Sequence, residues 1–202
     1  MRAITAMATL GVAMLAGCAP QQTGPALPMG AAPPGFQCPA AGTQIVGSDG
    51  TVTQFTGVSP SDPFACTMNT NSGPQTRLAN IYPLPVPEEA ALRNGMARLW
   101  PLEPGKSTNF IREISGQAGA LGWINETWHV LGQQTLVVAN QPRQVMVMEN
   151  IQSMPYIQGY AGQWTLYYDI QARAFVGGDL RVIRGINNTP SWRATSITTP
   201  GS

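Results

Sequence analysis

Short apolar or alternating runs, separated by Gly, Pro, Asn and Asp, make up most of the chain after about residue 96. Runs of four to eight residues bounded by turn residues predict β-strands rather than helices. Several short strands close in sequence favour an antiparallel meander. The predicted fold class is therefore mainly β, a meander that forms a sandwich or a partly open barrel, with at most one short helix. The strands are predicted at 107–114, 143–151, 164–169, 174–176, 180–184 and 192–198.

A hairpin is predicted within residues 130–136, where apolar runs flank Gly132-Gln133. Glycine in the first central position is typical of a two-residue II′ turn. That register sets His129 opposite Leu136, and Trp128 opposite Val137.

The first half of the chain has weaker patterns. Two β-like runs, 43–46 and 51–55, are joined by a turn containing Asp49-Gly50, which predicts a second hairpin. The prolines from 83 to 87 predict an extended segment. Glu88 and Glu89 follow Pro87, so a helix of at most two turns is expected to begin there and to end just before Gly95.

The amino terminus has the pattern of a secretory signal peptide, with Arg2, an apolar run and small residues before a cleavage site. The run is too short to cross roughly 30 Å of hydrocarbon as a permanent helix. It ends in Leu15-Ala16-Gly17-Cys18, which resembles the lipobox of bacterial lipoproteins with every position filled. The resemblance implies that residues 1–17 are removed and that Cys18 is acylated on its sulfur and amino group. The alternative is a buried cysteine that merely follows a helix.

The lipobox resemblance also implies a location. In bacterial lipoproteins, retention in the inner membrane usually requires an aspartate after the acylated cysteine, and this chain has Ala19. The expected location is the outer membrane, with the protein anchored by its lipid and facing the periplasm. The membrane, reached through that lipid, is thus the first expected partner.

The mature chain is expected to have three parts. Residues 18–35 are rich in Pro, Gly, Ala and Gln without charge, and they predict a flexible tether. Residues 36–95 predict a small β ribbon pinned by a disulfide, followed by an extended linker and the short helix. Residues 96–202 predict the antiparallel β domain.

Two cysteines remain beyond Cys18, namely Cys38 and Cys66. In an oxidising compartment such a pair predicts a disulfide. A zinc site is the poorer alternative, because zinc requires further Cys or His ligands.

The charge balance excludes one class of partner. The chain has 11 Lys and Arg against 10 Asp and Glu, and removal of Arg2 leaves the mature part neutral. Without a basic excess the chain lacks the field that holds polyphosphate, so we expect no nucleic-acid partner.

Candidate catalytic and metal-binding residues are few, and each has a structural interpretation. Pro104-Gly105-Lys106-Ser107 lacks the first glycine of a phosphate-binding loop and predicts a turn. His129 is the only histidine, and its predicted neighbours are apolar, so we interpret it as structural.

Glu113, Glu126 and Glu149 lie on separate predicted strands and are expected on solvated faces, the alternative being an acid pair of the glycosidase kind. Met146 and Met148 share a strand face and are expected to fill the core rather than to bind copper. No metal or cofactor is expected.

Aromatic residues crowd one stretch of the predicted β domain. An ordinary aromatic core explains them. The alternative is a set of ligand-facing aromatics that line a cavity for lipid or glycan. The residues are Trp123, Trp128, Trp164, Tyr167 and Tyr168.

A second resemblance covers about residues 99–184. The order Trp100-Pro-Leu-x-Pro-Gly-Lys, Trp128-x-Val-Leu-Gly and Tyr167-Tyr-Asp-x-x-x-x-Ala-Phe-Val is similar to that of uncharacterised proteobacterial envelope β-proteins. Asn140-Gln141-Pro142-Arg143 departs from the expected Pro-Ala-Gly turn. The resemblance implies a meandering β fold and no particular activity.

Together these patterns predict a non-catalytic, lipid-anchored envelope protein with a structural or interaction role in the periplasm, where another envelope protein is a candidate partner. The alternative is a carrier or chaperone of lipid or apolar ligands with a barrel-like cavity. An enzyme ranks third. A filled core favours the first hypothesis, an internal apolar cavity the second, and acids clustered around His129 the third.

Overall fold

The computed structural model describes residues 27–28, 30–86, 89–115, 121–154 and 159–201. It confirms the predicted fold class, since these residues form one helix and eleven strands in a single antiparallel sheet. The elements are β1 Gln44–Gly47, β2 Val52–Ser59, β3 Asp62–Thr70, β4 Gly73–Leu78, β5 Tyr82–Pro83, α1 Glu89–Ala97, β6 Ser107–Ser115, β7 Leu121–Val138, β8 Gln141–Met154, β9 Tyr160–Asp169, β10 Ala174–Arg184 and β11 Trp192–Thr198.

The sheet consists of two meanders joined by the first and last strands. Its order is β5-β4-β3-β2-β1-β11-β10-β9-β8-β7-β6, so every neighbour is consecutive in sequence except β1 and β11. The sheet curls until Tyr82 on the edge strand β5 donates a hydrogen bond to Glu126 on β7, next to the opposite edge. Within the described residues the two edge strands, β5 and β6, do not pair with each other, so the sheet is not closed into a barrel.

The prediction of a hairpin at Gly132 is wrong. Strand β7 runs for 18 residues straight through this glycine. Gly132 has a φ of 153° and follows a β-bulge, where the pairing with β8 shifts between Val130 and Gly132. The true turn is Ala139-Asn140, whose φ values of 50° and 60° are both positive, as a I′ turn requires. Glycine here serves a bulge, whereas asparagine tolerates the left-handed turn position.

Other elements differ less from the predictions. The Asp49-Gly50 turn joins β1 to β2, as predicted. Strands β3, β4 and β5 were not predicted, and β10 joins two predicted strands into one. Helix α1 includes Gly95, which was expected beyond its end. A Cβ at Gly95 would overlap the ring of Phe110 on β6, so this glycine serves the close approach of helix to sheet rather than a helix end.

One hydrophobic core lies on the inner, concave face of the curled sheet. Buried residues from both predicted segments, 36–95 and 96–202, belong to the same cluster. At one end of the sheet the ring of Phe36 packs edge-on against Phe64 at 4.8 Å and against Trp100 at 5.0 Å. Trp100 in turn packs against Tyr168 at 5.4 Å. Edge-to-face pairs of this kind add to the stabilisation from burial.

The segment before β1 is attached to the sheet and the helix. The predicted disulfide is formed between Cys38 and the buried Cys66 of β3. Farther towards the amino terminus, the backbone N–H of Leu27 donates to Asn94 Oδ1 of α1 at 2.8 Å. Leu27 and Ala32, within the predicted tether, pack against the core cluster.

Helix α1 is held to β3 by a buried ion pair. Arg93 donates from Nη1 to Asp62 Oδ1 at 3.0 Å and from Nη2 to the other carboxylate oxygen. Its Nη2 also donates to Glu89 at 3.1 Å, one turn earlier in the helix. The hydrogen bonds to Asp62 raise the pKa of Arg93 above its ordinary value, against the effect of burial. The helix is thereby fixed over the sheet by charge as well as by apolar contacts.

No helix in the described ranges has the length and apolar character that a membrane span requires.

Candidate functional site

The acylation site that the lipobox predicts, Cys18, lies outside the described residues. The first described residue, Leu27, is nine positions later and already contacts α1 through Asn94.

The five candidate aromatics occupy three different environments. Trp128 and Tyr168 are buried in the core, and Trp164 is half-buried on the inner face of β9. Trp123 is 43% exposed on the outer face, and Tyr167 is also on that face. The structure therefore does not bring the five around one cavity.

Tyr167 belongs to a small charged cluster on the outer face. Its hydroxyl donates to Asp179 at 3.0 Å, and the guanidinium of Arg193 lies 4.5 Å from the centre of its ring. Arg193 also pairs with Asp179 at 2.5 Å, and this hydrogen bond lowers the pKa of the Asp179 carboxyl. The cluster ties β9, β10 and β11 together, and its half-exposed position is typical of a surface ion pair of modest energy.

Glu126 contradicts the expectation of a solvated strand face, because it is fully buried on the inner face of β7. It shares its parity along the strand with the buried residues Ile124, Trp128 and Val130. Alternation along a strand places all four on the same side of the sheet. The curl of the sheet then encloses the carboxylate.

The buried carboxylate of Glu126 accepts hydrogen bonds from four side chains on four strands. Arg112 Nε donates to Oε1 at 2.6 Å. Trp128 Nε1 and Asn150 Nδ2 each donate to Oε2 at 3.1 Å, and the Tyr82 hydroxyl donates to the same oxygen. We refer to these five residues as the Glu126 cluster. Because both carboxylate oxygens accept hydrogen bonds from the protein itself, the cluster is a structural joint between the two sides of the curled sheet.

Tyr82 remains protonated in this cluster. Burial is the main cause that raises the pKa of its hydroxyl well above 10, and the neighbouring Glu126 carboxylate raises it further. The hydroxyl is therefore a hydrogen-bond donor across the whole neutral range. Trp128 Nε1 also donates to the Tyr82 oxygen at 3.1 Å, so the phenol is fixed from two directions.

The other two candidate acids do not join Glu126. Glu113 and Glu149 lie on the outer face, and Glu149 accepts from the Gln163 amide. The expectation of apolar neighbours for His129 is wrong, because the shifted register pairs it with Ser107 on β6 and with Glu149 on β8. Across the sheet from His129 there is thus one carboxylate, Glu149, which accepts a hydrogen bond from Gln163.

Met146 and Met148 lie in the core, as expected from their shared strand face. Among the described residues no group of three or more His, Cys, Asp or Glu side chains is placed to hold a metal ion.

A cleft of about 270 Å³ lies at one end of the inner face, and we call it the concave cleft. Its floor consists of the buried Ile45, Phe55 and Met68. Arg77 on β4 lines one side, and Phe175 and Trp192 on β10 and β11 line the other. The remaining lining residues include Gly47, Asp49, Thr51, Thr53 and Asn80. The rings of Phe175 and Trp192 thus line the cleft on the side opposite Arg77.

The aromatic side of the concave cleft continues along the sheet to Trp164. Between the two indoles lies Gly178, where a Cβ would be 3.0 Å from Trp192 Nε1 and 3.4 Å from Trp164 Cε3. The lack of a side chain at Gly178 therefore allows both tryptophans to pack over β10. Among the five predicted aromatics, Trp164 thus adjoins the concave cleft through Gly178.

Comparison with known proteins gives little beyond the geometry. No protein-family model and no curated protein matches the chain. Among solved structures, the chain is similar to the crystal structure of the hypothetical lipoprotein YmcC from Escherichia coli (K12). The two are 10% identical, the match covers 76% of this chain and 82% of that chain, and the TM-score is 0.46. The match assigns no function and no site residue.

A second depression, the Trp100 groove, has a volume of about 240 Å³. Trp100, Met146 and Tyr168 contribute apolar surface to it, and Arg173 is its charged residue. Gly35 and Gln37, at the start of the described domain, also line it. The groove therefore lies where the amino-terminal segment meets the sheet.

The cleft residues Arg77, Phe175 and Trp192 were not identified as site residues from the sequence. For Arg77 the signal was the alternation in Gln75-Thr76-Arg77, which places Gln75 and Arg77 on one face of a strand. No strand was predicted there. The meeting of Arg77 with Trp192 depends on the pairing of β1 with β11, which links residues about 150 positions apart.

Proposed function

We propose that this chain is a non-catalytic, lipid-anchored binding protein of the bacterial envelope. The complete lipobox at Leu15-Ala16-Gly17-Cys18 supports the anchor, and Ala19 supports the outer membrane as its location. Each buried methylene of an acyl chain contributes about 0.8 kcal/mol, and two chains suffice for stable attachment. The disulfide between Cys38 and Cys66 is consistent with an oxidising compartment such as the periplasm.

One observation supports a binding role rather than a catalytic one: buried charged groups are paired within the fold. Glu126 and Arg93 are both fully buried, and each is paired with charged or polar groups of the protein itself. A catalytic acid or base needs access to its substrate, and these groups are enclosed. What the domain offers to other molecules is its clefts and its outer face, where Ile111 is 54% exposed near Trp123.

The alternative function is a carrier of apolar ligands, and the Trp100 groove is the site for such a ligand. Its volume of about 240 Å³ is below the roughly 300–1,000 Å³ of pockets that enclose drug-sized ligands. A single continuous core occupies the inside of the curled sheet instead. The geometry therefore supports recognition at a surface better than storage of a lipid.

The anchor is tested by fractionation of cells that produce the Cys18→Ala variant. We expect this variant to lose labelling by a fatty-acid probe and to move from the membranes to the soluble periplasm, because the acylated atom is gone. Ala19→Asp is the matched control for location, since it keeps the cysteine. It should remain labelled and shift from the outer to the inner membrane. A Cys18→Ala protein that stays labelled and membrane-bound would refute the anchor.

A further inference from the structure

Arg77 is the exception among the less exposed arginines. In the described part of the chain five arginines are buried or half-buried, and four of them form an ion pair with Asp or Glu: Arg93, Arg112, Arg143 and Arg193. Arg77 instead donates to the neutral side-chain amide of Gln75. A partly desolvated cation without a counter-charge is costly, so an anion supplied from outside the protein would stabilise it.

Gln75 holds the Arg77 guanidinium in a fixed orientation. Its Oε1 accepts from Nε at 3.1 Å and from Nη2 at 2.9 Å, so one edge of the guanidinium is occupied. A second edge is formed by Nη1 and the other N–H group of Nη2, which these two bonds do not use. Its two parallel donors match the two oxygens of a carboxylate. Burial lowers the pKa of Arg77, yet an arginine remains charged at neutral pH.

The rest of the concave cleft defines the ligand further. The rings of Phe175 and Trp192 offer a flat apolar wall across from Arg77. Asp49, at the β1–β2 turn, brings a carboxylate whose Oδ1 already accepts from the Thr51 N–H at 3.0 Å. A second anionic group near Asp49 would be repelled, whereas a hydroxyl would find an acceptor there.

We propose that the concave cleft binds a small hydroxylated ring that bears one carboxylate. The carboxylate pairs with Arg77, and the ring lies against Trp192. Hydroxyl groups point towards Asp49, Thr51 and Thr53. A volume of about 270 Å³ suits a single ring rather than a long chain. This site gives a ligand class to the proposed binding role and rests on it, but it does not depend on the anchor at Cys18.

The test is calorimetric titration of the full lipidated protein in detergent with two probes that carry this chemistry. Methyl β-D-glucuronide represents a sugar acid, and N-acetyl-L-tyrosine represents an aromatic amino-acid end. The neutral amide of each probe is the matched control. Hydrogen bonds between charged groups are stronger than those to a neutral group, so the preferred acid should bind about 10- to 100-fold more tightly than its amide. Which acid binds more tightly identifies the source.

The matched protein variants are Arg77→Met, which keeps the apolar stem, and Arg98→Met, which changes an exposed arginine elsewhere. Arg77→Met should weaken binding of the acid at least 10-fold, and Arg98→Met should leave it within twofold. The proposal is overturned if neither acid binds, if acid and amide bind equally, or if Arg77→Met binds like the unchanged protein. Should Arg77→Met fail to fold, the acid and amide comparison on the unchanged protein decides. Fractionation of Cys18→Ala remains independent of all these outcomes.

Discussion

Replacing Glu126 by Gln is expected to lower the free energy of unfolding by about 3 to 5 kcal/mol, the usual effect of breaking a buried ion pair by removing one partner. The substitution keeps the size of the side chain but removes the charge that Arg112 pairs with at 2.6 Å. It also turns an NH₂ group towards donors, because Trp128 and Asn150 both donate to this carboxylate. Chemical denaturation followed by tryptophan fluorescence measures the loss.

The control for Glu126→Gln is Glu103→Gln, the same change at a different ion pair. Glu103 pairs with Lys106 at 3.4 Å, and its side chain is 62% exposed. Exposed pairs of this kind contribute about 0 to 1 kcal/mol, so the control should unfold almost like the unchanged protein. Equal stability of the two variants would mean that the Glu126 cluster does not join the sides of the sheet.

Replacing Arg93 by Met is expected to lower the free energy of unfolding by a similar amount, about 3 to 5 kcal/mol, because it also removes one partner of a buried ion pair. The variant leaves the Asp62 carboxylate without its cation, although the Phe64 N–H still donates to it at 3.0 Å. It also removes the main polar link between α1 and β3. Denaturation is again the measurement.

A double-variant cycle separates this ion pair from other effects. Arg93→Met with Asp62→Leu removes both charges, and the combined loss should be smaller than the sum of the two single losses. Glu89→Gln is the control on the same helix, because its carboxylate is 29% exposed and only the secondary partner of Arg93. If the Arg93 and Asp62 losses simply add, the two side chains do not act as a buried pair.

Local patterns in the sequence predict the β class, the Asp49-Gly50 hairpin and the Cys38–Cys66 bond, because each depends on neighbouring residues or on composition. The error at Gly132 has a local cause: a glycine between apolar runs suits a turn and a bulge equally, and only the length of β7 and β8 decides between them. Strand parity was sufficient to place Glu126 inside, beside Trp128.

The partners of Glu126 and the concave cleft required information that local patterns do not contain. Tyr82 reaches Glu126 across 44 positions, and only because the sheet curls. Arg77 and Trp192 line one cleft because β1 pairs with β11. Such long-range pairings depend on the packing of the whole sheet, which the local pattern of a single sequence does not specify.

The mature chain is proposed to begin at an acylated Cys18. Mass spectrometry of the amino-terminal peptide, released by protease from protein isolated out of its own membranes, measures this directly. We expect a peptide that starts at Cys18 and carries the mass of a diacylglyceryl group and an amide-linked acyl chain. A peptide that starts before Cys18, or one that starts there without lipid, would contradict it.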